Sequence, residues 1–346
     1  MVCGDLPPIR GKLGTLPEDF QVDEIPAYKP SGTGSHRYVL VKKKLLTTPE
    51  LVHWVAKAAG VQEATVGNAG MKDKYAVTTQ WLSVPLPCRE TETWELPESV
   101  EILEEGLHTN KLRTGHLHGN RFTLRLVDLD PDDKIRFQSL WSRIEGGIFN
   151  SFGEQRFGRG GANLQKALSW LNGQSQLRGP KARFLRKLNV SVVQSEIFNR
   201  YLIRRIEASL EGPILGEVLR LKGSGSCFIV KNPADEQPRW TAGDTLPTGP
   251  MVGSRVHPAA QDDALALERA ATLDVCREPG KIERLNAEAD GTRRDLLLFL
   301  GQTGFEWVND QSLRISFELP AGAYATQVLR ELTHEPWLKP RQFSRP

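Results

Sequence analysis

The chain has 346 residues, of which 39% are hydrophobic and 25% charged, and its formal net charge at pH 7 is +3. This composition is typical of a soluble globular protein, and the length is enough for about two domains. No apolar run approaches the ~20 residues that a spanning helix requires, and the amino terminus MVCGDLPPIR lacks a signal-peptide pattern, so we expect a cytoplasmic protein. A zinc site or disulfide framework is disfavoured because no C-x-x-C pair joins Cys3, Cys88, Cys227 and Cys276.

The charges are segregated along the chain. Basic residues cluster at 42–44, around Arg156 and Arg159, and between 178 and 205, whereas acidic residues concentrate around 90–105 and 262–290. A net charge of +3 is weak evidence for nucleic-acid binding, so the question depends on how the charged residues are distributed along the chain. Segregation permits a cationic face, but a solvated helix face explains any single cluster equally well.

The first half of the chain shows strand and helix patterns. Alternating apolar residues, or β-branched and aromatic ones, predict strands at 19–26, 36–44, 76–84 and 120–129. The segment TTPELVHWVAKAAG predicts a helix with Thr47 or Thr48 as its cap and Gly60 at its exit. A second helix is predicted from Pro131 to about Ile144.

The second half mixes helices and strands. A loop rich in Gly and Arg, at 150–161, leads into it. The predicted elements are a helix from about Ala162, an amphipathic helix at 191–212, short strands at 216–221 and 226–230, helix from about 260, and strand, turn and helix over 313–332. This order is compatible with one α+β domain that is interrupted by an inserted domain.

One acidic residue stands out in the segment GNAGMKDKYAVTTQW (67–81). Asp73 lies between Lys72 and Lys74, in a glycine-containing turn before a predicted strand. The two lysines favour its ionised form, whereas burial would oppose it. Such a carboxylate can act as a nucleophile or general base if its pocket excludes water. An ordinary aspartate in a surface turn is the commoner explanation, and spacing alone does not decide.

This segment closely resembles the catalytic motif of TruD-type tRNA pseudouridine synthases, A-G-x-K-D-x-x-A-V-T-x-Q-W. Four further segments resemble family elements in the expected order, and together they span nearly the whole chain. They are PEDFQVDE (17–24), KLRTGHLHGNRF (111–122), NSFGEQRFG with GGANLQKA after it (150–158 and 160–167), and LPAGAYATQVLREL (319–332).

The resemblance implies an α+β fold, with the mixed, mainly antiparallel sheet and flanking helices of pseudouridine synthases. The catalytic domain would be discontinuous, at about 1–145 and 294–346. A family-specific α/β insertion (TRUD) domain would occupy about 146–293 and leave an RNA cleft between the two.

The resemblance also implies an activity. Family members convert uridine to pseudouridine in RNA, typically at position 13 of certain tRNAs. Asp73 would attack the uridine or abstract a ribose proton, without a metal or other cofactor, and tRNA would be the partner. The alternative is a non-catalytic tRNA-binding or tRNA-folding factor on the same scaffold. A small-molecule enzyme would leave the dispersed basic residues unexplained.

Four residues are expected around the substrate by resemblance. Phe20 would form a pocket wall, Phe122 would stack on the uracil, and Asn120 would hold the base or the Asp73 loop. Tyr324 stands where the family often carries Phe. From the residues alone, Phe122 is equally well explained as a core residue, and Phe20 is a core residue by default.

Basic residues are expected to bind the RNA phosphates; we name Lys72, Lys74, Arg156 and Arg159. The family usually has Lys or Arg three residues before the Pro of P-E-D-F, where this chain has Gly14. Lys12 would share a strand face with that position and is a candidate stand-in; the alternative is a solvated surface lysine. We expect surface or RNA-facing side chains, rather than metal ligands, at His108, His116 and His118.

Overall fold

The computed structural model describes residues 1–179, 182–256 and 260–335. Its strands are β1 (Lys12–Leu13), β2 (Phe20–Pro26), β3 (His36–Lys44), β4 (Gly67–Asn68), β5 (Val77–Pro85), β6 (Val100–His108), β7 (Leu117–Val127), β8 (Ile148–Phe149), β9 (Val218–Leu221), β10 (Cys227–Ile229), β11 (Thr245–Met251), β12 (Thr292–Asp295), β13 (Leu297–Leu298), β14 (Gly301–Asn309) and β15 (Ser312–Pro320). Its helices are α1 (Thr48–Ala59), α2 (Asp133–Glu145), α3 (Glu154–Phe157), α4 (Ala162–Leu171), α5 (Ala182–Glu207), α6 (Pro233–Thr241), α7 (Asp262–Cys276), α8 (Pro279–Glu288) and α9 (Ala325–Thr333). Across these residues, no helix is both long and apolar enough to cross a bilayer.

The largest sheet combines strands from the two ends of the chain. Its order is β14-β15-β7-β2-β5-β3-β6, with β1 beside β7 and β4 beside β5. β2 and β5 run parallel, and the neighbours along the rest of this path are antiparallel. A mixed, mainly antiparallel sheet with flanking helices confirms the predicted α+β fold class.

Two apolar clusters fix the helices on this sheet. In the larger, Leu124 and Leu126 of β7 are fully buried with Phe137 of α2 and Val328 of α9. The second cluster joins α1 to β3 and β5. Full burial of a large apolar side chain contributes about 1.5–3 kcal/mol, so these contacts hold β2, β5 and β7 in fixed register.

The middle of the chain forms a second body around the four-stranded sheet β10-β9-β11-β12. The long helix α5 packs against α4, α7 and β11. The expected domain boundary between residues 293 and 294 falls inside β12. The pairing of β8 with β13 lies beside this body. The division into two domains stays a prediction.

Several predicted elements agree with the structure, and one helix is wrong in its bounds. Thr47 caps α1 by accepting from the Glu50 backbone N–H, and Gly60 ends it with φ 74°. The helix predicted at 191–212 runs from Ala182 to Glu207 instead. Its first turns are strongly basic, and their apolar side chains Phe184, Leu185 and Leu188 are exposed.

The strands β6 and β14 are not predicted from the sequence. They form the two edges of the large sheet, and their sequences, VEILEEGLH and GQTGFEWVN, are rich in charged, polar and glycine residues. Edge strands commonly carry such residues because one side of their backbone faces no partner strand. The alternating pattern that reveals a central strand is therefore weakened.

A buried ion pair in the second body gives a test of stability. The Arg205 guanidinium donates to both carboxylate oxygens of Glu217, at 2.7 and 3.0 Å, and both side chains are fully buried. Glu217→Ala should reduce the free energy of unfolding by about 3–5 kcal/mol, because it leaves a buried charge unpaired. The adjacent pair of Arg204 with Asp274 is about one-third exposed. Asp274→Ala should therefore cost only about 0–1 kcal/mol. If urea unfolding shows equal decreases in the free energy of unfolding for the two variants, this prediction is wrong.

Candidate active site

The segment between α1 and β5 folds back over the large sheet. Gly67 of β4 pairs with Ser83 in the far half of β5, whereas β5 itself begins only at Val77. Residues 69–76 therefore have to return along the sheet before β5 starts. A side chain at Gly67 would meet the Leu112 carbonyl oxygen at 2.2 Å, so only glycine permits this close approach.

A buried lysine fixes this loop. The Lys72 ammonium lies 2.7 Å from Glu24 Oε2 and donates to Asn120 Oδ1 at 2.8 Å. The other carboxylate oxygen of Glu24 accepts from the Trp81 backbone N–H at 3.2 Å. The Lys72 backbone N–H donates to Thr48 Oγ1 at 2.9 Å. β2, β5, β7 and the start of α1 thus all hold the residue that precedes Asp73.

Asp73 is exposed to solvent and lines a cleft of about 530 Å³. This volume lies within the range of small-molecule sites. The cleft gathers residues from the first and last parts of the chain and from the short helix α3. Its lining residues are Phe20, Val22, Met71, Lys72, Asp73, Lys74, Asn120, Phe122, Gln155, Gly322, Ala323, Tyr324 and Ala325.

The aromatic side chains of the cleft are also core residues. Phe122 is 7% exposed, packs edge-on against Phe20 at 6.2 Å between ring centroids and stacks on Phe317 at 5.7 Å. The core and pocket explanations of Phe20 and Phe122 are therefore compatible. Neighbouring rings restrain these side chains, so the aromatic wall of the cleft is largely pre-formed.

Asn120 and Tyr324 have defined orientations at the cleft. The Asn120 side-chain oxygen faces the Lys72 ammonium, so its NH₂ group points away from that lysine. Arg156 donates to the Tyr324 hydroxyl at 2.8 Å and to Ser191 Oγ at 3.0 Å. The Tyr324–Arg156 bond has no equivalent where the position carries Phe. It connects the final strand–helix turn to the middle of the chain.

A second arginine lies on the same side of the cleft. The Arg294 guanidinium stacks 4.2 Å from the Phe152 ring centroid and donates to the Asn150 side chain. Burial is the largest influence on this guanidinium and lowers the pKa of Arg294 to about 10. The sequence analysis does not identify Arg294, because nothing in RDLLLF marks it as part of a site.

The structure corrects two expectations about basic residues. Lys72 is buried and paired with Glu24, so its ammonium cannot neutralise a phosphate. Lys12 is exposed, pairs with Asp128 at 2.7 Å and is not among the residues lining the cleft. Position 14 itself has no room for a side chain, because a Cβ there would lie 2.2 Å from Asp19 Oδ2. Lys12 is therefore not a stand-in at the cleft.

The other basic and histidine residues occupy varied places. Lys74 lines the cleft and lies 3.6 Å from Glu50, Arg159 is exposed beyond α3, and Arg156 is half-buried in its contacts with Tyr324. Two histidines, His108 and His116, contact the ring of Tyr28.

Six residues that line the cleft are not among the site residues named from the sequence: Val22, Met71, Gln155, Gly322, Ala323 and Ala325. Met71, which is 68% exposed, occupies the variable position of A-G-x-K-D, so no pattern signals it. Gln155 belongs to NSFGEQRFG, and only that segment's resemblance could have drawn attention to it. Side chains at the variable positions of a motif can be assigned to the site only when the fold of the loop is known.

The contrast between Lys72 and Lys74 is testable by substitution. Lys72→Met leaves the Glu24 carboxylate buried without its cation, so it should reduce the free energy of unfolding by about 3–5 kcal/mol. Lys74→Met removes only a half-exposed pair with Glu50 and should cost no more than about 1 kcal/mol. Urea unfolding of both variants measures this difference. A near-neutral Lys72→Met would show that the loop is not held by this pair.

Comparisons with known proteins agree with this geometry. A model of the family tRNA pseudouridine synthase D (TruD) matches residues 1–167 and 180–332. A tRNA pseudouridine synthase D from Anaeromyxobacter sp. (strain Fw109-5) is 40% identical over 338 residues, covering 96% of this chain and 95% of the relative. One from Thermus thermophilus is 35% identical over 331 residues, covering 95% of this chain and 90% of the relative.

A solved structure shares the fold. It is a crystal structure from Methanosarcina mazei that carries a provisional assignment as tRNA pseudouridine synthase D. It superposes with a TM-score of 0.73 at 21% identity and covers 96% of this chain and 95% of its own. The family match over nearly the whole length, and relatives above 30% identity over almost all of it, show that this chain belongs to the TruD family of tRNA pseudouridine synthases.

Proposed function

We propose that this protein converts uridine to pseudouridine in tRNA, at uridine 13 by resemblance, with Asp73 as its nucleophile or general base. The observation that carries the proposal is the position of Asp73 in an open cleft beside Phe122, Asn120 and Tyr324. Membership of the TruD family supports the reaction class. We also propose the cytoplasm as the site of action, because tRNA is the substrate.

The reaction is an isomerisation, so every atom of the substrate is retained. The C1′–N1 bond of the uridine breaks, the uracil turns within the site, and C5 bonds to C1′. A proton leaves C5 and N1 gains one. Asp73 can act by attack on the nucleoside or by removal of a ribose proton, and its exposed carboxylate is open to both. The balance requires no oxidant, reductant or energy source.

The target base has to leave its stack to reach Asp73. Extrusion of a nucleotide costs a few kcal/mol and calls for new stacking partners. The rings of Phe20 and Phe122 wall the cleft and can supply stacking. The NH₂ group of Asn120 can donate to a uracil carbonyl, because its oxygen is already engaged by Lys72. The Tyr324 hydroxyl adds a polar group at the opposite wall.

We further propose that two domains grip the RNA. Residues 1–145 and 294–346 would form the catalytic domain, since the large sheet draws its strands from both segments. Residues 146–293 would form the insertion domain, whose Gln155 reaches the cleft lining. Exposed Arg159 and half-exposed Lys74 would neutralise phosphates beside the extruded base.

The direct test is pseudouridine mapping of the host's tRNA after incubation with the purified protein. Wild type should form pseudouridine at position 13, and Asp73→Asn should form none while it still binds tRNA. Asp128→Asn is a matched control, because it removes an exposed carboxylate that pairs with Lys12 outside the cleft. An active Asp73→Asn would refute the assigned chemistry. A wild-type protein that binds tRNA but converts no uridine would favour the non-catalytic folding factor.

Salt dependence tests the phosphate contacts. Arg159→Gln should lower the slope of log affinity against log salt concentration by about 1, because one phosphate contact is lost. The conversion rate at saturating tRNA should stay the same. Arg314→Gln is the control, since Arg314 pairs with Glu306 on the surface of β15. If both variants keep the wild-type slope, Arg159 does not contact an RNA phosphate.

A further inference from the structure

A fully buried lysine lies beneath the Asp73 loop. Lys43 is the middle residue of the run Lys42–Lys43–Lys44 at the end of β3. Successive side chains of a strand point to opposite faces. Lys42 and Lys44 are accordingly about half-exposed and pair with Glu101 and Glu18, whereas Lys43 has no exposed surface.

The Lys43 ammonium holds the backbone of Asp73 itself. It donates to the Asp73 carbonyl oxygen at 2.9 Å and to the Leu46 carbonyl oxygen at 2.5 Å. These bonds tie the loop to the turn between β3 and α1. Both of these acceptors are neutral, so the positive charge of the ammonium is compensated in part by the nearby carboxylates of Asp73 and Glu50.

The electrostatic surroundings of Lys43 are mixed. Burial is the largest influence and lowers the pKa of Lys43 to about 8. From the loop, Asp73 opposes this shift and Lys72 adds to it; from α1, Glu50 opposes it. At neutral pH the ammonium is therefore mostly protonated. A buried charge of this kind destabilises the folded protein unless other interactions compensate it.

We propose that Lys43 is a positioning residue for Asp73: its ammonium fixes the backbone from which the Asp73 carboxylate enters the cleft. The proposal rests on the function proposed above for Asp73.

This chain departs from the family pattern at position 14. The basic residue expected there is replaced by Gly14, and the space that a Cβ would occupy is filled by the Asp19 carboxylate. Lys12 pairs with Asp128. The Lys43 ammonium, from β3, supplies positive charge at the Asp73 backbone.

The central experiment compares Lys43→Met with Lys42→Met and Lys44→Met, which remove the same charge from neighbouring positions. Lys43→Met should lower the single-turnover rate at saturating tRNA on the order of 100-fold, since a small misplacement of a reacting group has this effect. Its tRNA affinity should stay within about 2-fold of wild type. A substitution that weakens only the stabilisation of the transition state lowers the rate without changing substrate binding. The two controls should keep the wild-type single-turnover rate.

The pH profile separates positioning from a merely structural role. The wild-type rate should fall as pH rises through about 8, where Lys43 loses its proton. Lys43→Arg keeps a positive charge, so this fall should move to higher pH.

Unfolding provides a readout independent of activity. Between about pH 8 and pH 10.5 the native wild type has released the Lys43 proton, whereas the unfolded chain still holds it. The stability of wild type relative to Lys43→Met should therefore increase with pH across this range. If Lys43→Met does not fold, the rates of wild type and Lys43→Arg as a function of pH test the proposal. If the rates of both proteins fall at the same alkaline pH, the proposal is overturned.

The outcomes distinguish this proposal from the function on which it rests. Active wild type, inactive Asp73→Asn and a Lys43→Met that is as fast as wild type would overturn the role of Lys43 alone. Wild type without uridine conversion, or an active Asp73→Asn, would overturn both. A slow Lys43→Met with normal tRNA affinity, together with an alkaline fall that Lys43→Arg moves to higher pH, supports the proposal.

Discussion

The site depends on one buried ion pair, between Lys72 and Glu24. A charge in a protein interior is costly unless an opposite charge and hydrogen bonds compensate it. Lys72 therefore has few alternative positions, because its ammonium has to meet Glu24 and Asn120. Asp73 is the next residue, so the burial of its neighbour determines where its carboxylate emerges. The backbone of Asp73 is therefore held in part by the residue beside it.

Three consecutive charged residues of this loop consequently have different environments. Lys72 points into the sheet, Asp73 is exposed at the cleft, and Lys74 lies near Glu50 at the surface. Beneath them, Lys43 adds a second buried ammonium that holds the loop by its backbone.

The walls of the cleft come from distant parts of the chain. Phe20 and Asn120 belong to the first half, Gln155 to the middle, and Tyr324 to the final strand–helix turn. The bond between Arg156 and Tyr324 connects the last two of these regions. Movement of the middle body relative to the large sheet would therefore change the shape of the cleft.

The sequence by itself determined the central strands, helix α1 with a cap at Thr47 or Thr48, the family, and Asp73 as the candidate acid. Local patterns and a long ordered set of segments suffice for these, because neighbouring residues encode them. Only the tertiary structure decided which charges are buried. Lys42, Lys43, Lys72 and Lys74 look alike in the sequence, yet strand direction and the path of residues 69–76 place two of them inside and two outside. Burial depends on what other segments pack above a side chain, and no local pattern contains that information.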